Sequence, residues 1–201
     1  DNKGFIDKYI GDAIMALFPK SEESALSAAV EMLRYLDIYN GHRQHMYYDP
    51  ISIGIGIHTG NVMIGIIGHE TFMQGTGISD TVNTASHLEK LTKLYKVSLI
   101  VSRDIIKSLE NPKKYSHRFL DRIKVKGKNK PVSIYEVFEA DADEMKSQKQ
   151  ETRVLFESGV QAYHAKEFQK AHDIFEDLGK TLVGDGALEM YKKRCAVRLP
   201  S

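Results

Sequence analysis

The order of strand-like and helix-like segments predicts an α+β fold. It is a mostly antiparallel sheet with helices packed on one face, plus a C-terminal α-helical appendage. Three observations carry this. Segments of two-residue and 3.6-residue period follow one another over residues 4–138. One of them, ISIGIGI at residues 51–57, alternates strictly, with Ile51, Ile53, Ile55 and Ile57 on one face and Ser52, Gly54 and Gly56 on the other. Beyond a polar, charged stretch at residues 139–150, every pattern is helical.

The elements follow in order. Residues 4–18 hold two short apolar stretches around Gly11-Asp12, which reads as a tight β-hairpin closed by Pro19. After Ser21-Glu22-Glu23-Ser24, a suitable N-terminus, Ala25, Ala28, Ala29, Met32, Leu33, Leu36 and Tyr39 recur at helical spacing. Residues 51–57 form a half-buried strand with a nearly bare second face, and residues 62–67 its partner across a turn at His58-Thr59-Gly60-Asn61. A helix over 80–95 turns Val82, Ala85, Leu88, Leu91 and Tyr95 inward, with Ser79-Asp80 placed to cap it. A strand (97–101), a helix (103–109) and two strands (119–125, 132–138) complete the unit. Residues 140–150 read as a linker. In 151–201, Leu155, Gly159, Ala162, Phe168, Ala171 and Phe175 approximate one tetratricopeptide helix hairpin, and a third helix over 187–195 packs on it. One such unit cannot make a solenoid, which needs about three or more. The plain reading is a cap or a dimer brace.

Composition narrows the function classes. With 42% hydrophobic and 27% charged residues, the 201-residue chain has ordinary globular composition. A net charge of +1 gives no global field for nucleic acid or anionic lipid, so neither is expected as a partner. Apolar runs fall short of a membrane span. The lone Cys195 cannot make an internal disulfide and fits a reducing compartment, so a cytoplasmic location is expected. The chain begins at Asp1, and its natural start is expected upstream.

Several motifs drop out. Gly54, Gly56 and Gly60 are spaced too widely for a dinucleotide loop. Gly179-Lys180-Thr181 lacks the earlier glycine of a Walker loop, since Ile174 stands there. His69-Glu70 lacks a second zinc histidine, and His42 and His45 read as surface residues. Three segments remain. In KYIGD, Asp12 either makes the turn or presents oxygens to a hard cation. In TGISDTVNTASHLEK, Asn83 and His87 are four apart on one helix face, and are either boundary residues or groups facing a ligand's sugar and phosphates. In VKGKNKP, Lys124, Lys126, Lys128 and Lys130 surround Gly127, as a solvated basic turn or a phosphate contact.

Taken together, DKYIGDAIMALF, IGIHTGNVMIGIIG, ISDTVNTASHLEKL and VKGKNKPVSIYEVF resemble class III adenylyl and guanylyl cyclases in order and spacing, over residues 4–138. The T-x-I-S-D-x-V-N form is similar to the bacterial-type subgroup. The resemblance implies a ferredoxin-like, palm-type sheet and a catalytic domain at residues 1–139 lacking its first strand and helices. It implies ATP as substrate, two divalent metal ions (Mg²⁺ or Mn²⁺), and a homodimer with sites between its catalytic domains. Asp12 matches the second metal aspartate. Lys8 and Thr76 match the base-reading pair in its adenine-specific form. Lysine can donate to adenine N1 but cannot accept the N1–H of guanine. Asn83 matches the ribose-orienting asparagine and Lys126 the phosphate-contacting lysine. Each site would pair Asp12 of one protomer with Lys8, Thr76, Asn83 and Lys126 of the other.

Two positions depart from the family pattern. No segment matches the first metal aspartate. His87 stands where the family usually has an arginine that contacts phosphate in the transition state. Arginine stays charged and offers a planar fork, whereas histidine is shorter and titrates near ~6.5 in reference peptides. Weaker catalysis that rises toward acidic pH is the expectation. Two alternatives stay open: a catalytically weak or inactive nucleotide-binding or dimerisation module, and a module that recruits a partner through its helical tail.

Overall fold

The structure, a computed structural model, describes residues 2–67, 74–78, 80–125 and 131–199. The elements run β1 (Phe5–Ile10), β2 (Ala13–Leu17), α1 (Glu22–His45), β3 (Ile55–Ile57), β4 (Met63–Ile67), β5 (Gln74–Ile78) and α2 (Asp80–Tyr95). There follow β6 (Leu99–Ser102), α3 (Arg103–Ser108), β7 (His117–Ile123), β8 (Val132–Val137), α4 (Asp143–His164), α5 (Phe168–Leu178) and α6 (Gly186–Ala196).

The central sheet has the order β3-β6-β8-β7, with β3 parallel to β6 and the other pairs antiparallel. The β1–β2 and β4–β5 pairs are separate antiparallel ribbons. The expectation of an α+β sheet with helices packed on it matches this mixed sheet, but helices cover both faces rather than one. All four residues of β6 are buried. Because side chains alternate, that strand needs cover on each side. Leu99, Val101 and Val137 pack with Leu26, Ala29 and Val30 of α1 and Ile105 of α3. On the opposite face Ile100, Leu120 and Ile134 pack with Leu88 and Tyr95 of α2, and with Phe156, Val160, Phe175, Leu188 and Tyr191 of the last three helices.

Two strand assignments are corrected. Of residues 51–57 only Ile55–Ile57 are in a strand. Both backbone groups of Ile51 are taken by the Asn40 side chain of α1, each at 2.8 Å, so this residue has no ladder bond left to make. Residues 62–67 do not pair with β3 either. Met63–Ile67 pairs with β5, while His58 turns to Ser102 (Nδ1 to Oγ, 2.8 Å) and Thr59 donates to Glu22 at 2.9 Å.

The linker reading of 140–150 is also corrected, because α4 begins at Asp143. Its polar composition has a structural use. Lys149 is 6% exposed and reaches Glu136 at 2.6 Å and Asp141 at 2.5 Å. Arg118, fully buried, bonds Glu136 and Asp185 at 2.6 Å each and lies 4.0 Å over the Phe156 ring. Asp185 also caps α6 by accepting from Leu188 N at 2.7 Å. Matched charges therefore tie α4 and α6 to the sheet. Among the described residues no helix is long and apolar enough to cross a membrane.

Candidate functional site

Lys8 and Asp12 come from the β1–β2 hairpin, whose Gly11-Asp12 turn has Gly11 at φ 63°. Asp12 is exposed there. The register pairs Ile6 with Ala16 and Lys8 with Met15, so a bulge falls at Asp7. Neighbouring strand residues normally point to opposite faces. Here the bulge brings the Lys8 ammonium to 3.4 Å from Asp7 Oδ2, an oxygen that is buried and has no hydrogen-bond partner. Asp7 is a candidate site residue that the sequence does not announce, since nothing in the pattern marks the bulge.

Thr76 lies in β5, opposite Gly65 of β4. Strand β1 lies against β5, so the structure brings the strands of Lys8 and Thr76 together. Helix α2 starts two residues after β5 ends and carries Asn83 and His87. Asn83 is exposed and His87 half-buried, while Thr84 and Leu88 are fully buried on the packed side. Thr84 donates to Asp80 O at 2.7 Å, and Thr81 to Asn61 O at 3.0 Å. The bare face of β3 is the seat of α2. A Cβ on Gly56 would lie 2.3 Å from Glu89 N and 2.4 Å from Ala85 O, so helix backbone rests directly on strand backbone. Lys126, with Lys128 and Lys130, lies outside the described residues.

The donor set fits a hard cation in one respect. Asp12 offers an exposed carboxylate, and Mg²⁺ uses one or two carboxylates beside phosphate oxygens and water. Among the described residues no three His, Cys, Asp or Glu side chains gather around a common point. This chemistry suits an ion completed by a phosphate-bearing ligand, not one caged by this chain's own side chains.

Comparison with known proteins bears on the same residues. Residues 7–138 match the adenylate and guanylate cyclase catalytic domain. The chain is 32% identical over 203 residues to the terminal-differentiation specific adenylate cyclase of Dictyostelium discoideum, which takes in 97% of this chain and 9% of that protein. It is 44% identical over 140 residues to an adenylate cyclase of Anabaena cylindrica, covering 67% of this chain and 28% of that one. The chain thus spans less than a third of either relative. Among solved structures, an adenylyl cyclase from P. aeruginosa superposes with a TM-score of 0.57 at 27% identity, over 68% of this chain and 72% of that one. By its matched residues, the chain belongs to the family of adenylate and guanylate cyclase catalytic domains.

Proposed function

We propose that this chain is the catalytic domain of an adenylate cyclase of the bacterial-type subgroup. It converts ATP to 3′,5′-cyclic AMP and pyrophosphate at sites between two copies of the chain, in the cytoplasm. The observation that most supports this reading is the contact of β1 with β5, which joins the strand of Lys8 to that of Thr76. In this reading Lys8 and Thr76 read the adenine edge, and Asp7 holds the Lys8 ammonium in place. Asn83 orients the ribose so that its 3′-oxygen faces the α-phosphorus. The 3′-oxygen bonds to that phosphorus as the bridge to the β-phosphate breaks, pyrophosphate leaves with the electron pair, and the hydroxyl proton passes to solvent. Lys126 and His87 offset phosphate charge as it develops. Asp12 would hold the divalent ions, which when bound acidify the 3′-hydroxyl and neutralise the phosphates. The last three helices, α4 to α6, form a tetratricopeptide-like unit packed on the catalytic region.

The test is formation of cyclic AMP and cyclic GMP from ATP and GTP, with Mg²⁺ or Mn²⁺, by this chain and by the full-length gene product. Cyclic AMP from ATP in preference to cyclic GMP from GTP is the expected result. No cyclic nucleotide from a full-length protein that still dimerises would leave a nucleotide-binding or dimerisation module, with His87 the residue to examine first.

A further inference from the structure

The seat of α2 on β3 is smooth, because a glycine face meets helix backbone with no interlocking side chains at Gly56. Such a contact fixes the distance between helix and strand but resists sliding and rotation weakly. The position of α2 is set by its other contacts: Leu88, packed on Ile100, Leu120 and Ile134 of the sheet, and a clamp at its C-terminal end. Tyr95, 1% exposed, donates its hydroxyl to the Asp121 carboxylate. Asp121 is 5% exposed and follows a bulge in β7 between Phe119 and Asp121. The same carboxylate accepts from Arg194 of α6 at 3.0 Å and from the Arg122 backbone N–H at 2.6 Å, and meets His164 Nε2 of α4 at 2.6 Å. The Arg194 guanidinium lies over the rings of Tyr95 (5.3 Å) and Tyr191 (5.5 Å), and Tyr191 donates to Leu120 O at 2.8 Å. Gly186, the first residue of α6, abuts the end of α2 so closely that a Cβ there would sit 2.8 Å from the Lys96 carbonyl.

One buried charge therefore collects α2, α4, α6 and its own strand. A buried carboxylate left unmatched is costly, so moving any of these elements meets a steep penalty. A helix is stiff over the roughly 18 Å from Tyr95 to Asn83. We propose that Tyr95 and Asp121 are positioning residues, through which the C-terminal helices hold α2, and with it Asn83, in its working place. This rests on the adenylate cyclase reading for its catalytic consequence. Identity to the Dictyostelium relative running over 97% of the chain, C-terminal helices included, accords with it.

The test uses the full-length gene product with Tyr95→Phe, which removes one hydroxyl and keeps the ring, and with Asp121→Asn. Two readouts are taken: amide hydrogen exchange along Asp80–Tyr95, and kcat and KM for ATP, alone and in an Asn83→Ala background. Expected are faster exchange in the first half of α2, and a fall in kcat of about 10-fold with KM little changed. No further loss is expected once Asn83 is alanine, because the two act in series. Unchanged exchange at residues 80–88 overturns the proposal even if Asp121→Asn fails to fold, since Tyr95→Phe carries the measurement. Losses that multiply with Asn83→Ala overturn it too. A wild-type protein without turnover counts against the cyclase reading, while the exchange result still decides whether the clamp exists.

Discussion

Lys8 holds its ammonium 3.4 Å from an Asp7 oxygen that has no hydrogen-bond partner. Exposed ion pairs contribute little, but the Asp7 side chain is only 6% exposed, and a carboxylate taken out of water is costly without an opposite charge beside it. Asp7→Asn keeps the shape and removes the charge. The expected outcome is a lower ratio of ATP to GTP turnover, with most of the loss in ATP turnover. A ratio equal to wild type would make the pair incidental. His87 carries a second prediction at this scale. It stands half-buried on α2, four residues beyond the exposed Asn83. On the proposed reading, His87→Arg supplies a longer, permanently charged fork for the phosphates of ATP, so turnover should rise several-fold, checked as initial rates at saturating ATP. Of the candidate site residues, Lys8, Asp12, Thr76, Asn83, His87 and Lys126 were named in the sequence only through the resemblance of four ordered blocks to the cyclases. Asp7 was not, because a bulge re-aims one side chain without leaving a mark in a two-residue period.

Among the elements, β3 and α2 show how a sequence pattern can be read correctly and paired wrongly. The bare face at Gly54 and Gly56 was plain in the alternation. It was the seat of a helix, and the strand partner lay far along the chain in β6. Alternation reports faces; it cannot report which edge is filled, and a short apolar segment such as Met63–Ile67 pairs with whatever ribbon reaches it. The face itself can be tested. At Gly56 an added methyl would meet the backbone of α2, which cannot rotate away as a side chain would. Gly56→Ala is expected to lower stability by about 1–3 kcal/mol, read as a thermal midpoint several degrees lower. On the proposed cyclase reading, turnover should fall as well, since α2 must lift from β3. Gly41, where a Cβ meets nothing within 4 Å, is the control: Gly41→Ala should leave activity unchanged and the midpoint equal or slightly higher.

At the scale of the whole molecule, what sequence could not show is that one core runs through the sheet and the last three helices. The polar run at 140–150 resembles a linker because charged residues are usually solvated. Lys149 instead lies buried among carboxylates. Glu136 is the hub of that network. Burial pushes its carboxyl up, but Arg118 and Lys149 outweigh burial and hold it below the ordinary value of 4.5. A carboxyl depressed in the folded state contributes stability that is fully present above its unfolded value and lost as pH falls through its folded value. Glu136→Gln leaves Arg118 and Lys149 each one buried partner short, and breaking a buried pair in this way costs about 3–5 kcal/mol. At pH 7 the variant should therefore melt well below wild type. As pH falls from the unfolded value of about 4.5 toward the lower folded one, the stabilisation that Glu136 gains from Arg118 and Lys149 is progressively lost, so the two midpoints should converge. Thermal midpoints of both proteins from pH 3 to pH 7 make the comparison. A gap that stays constant across that range would mean that Glu136 acts through packing, and that the ionic tie between sheet and C-terminal helices is not what holds them together.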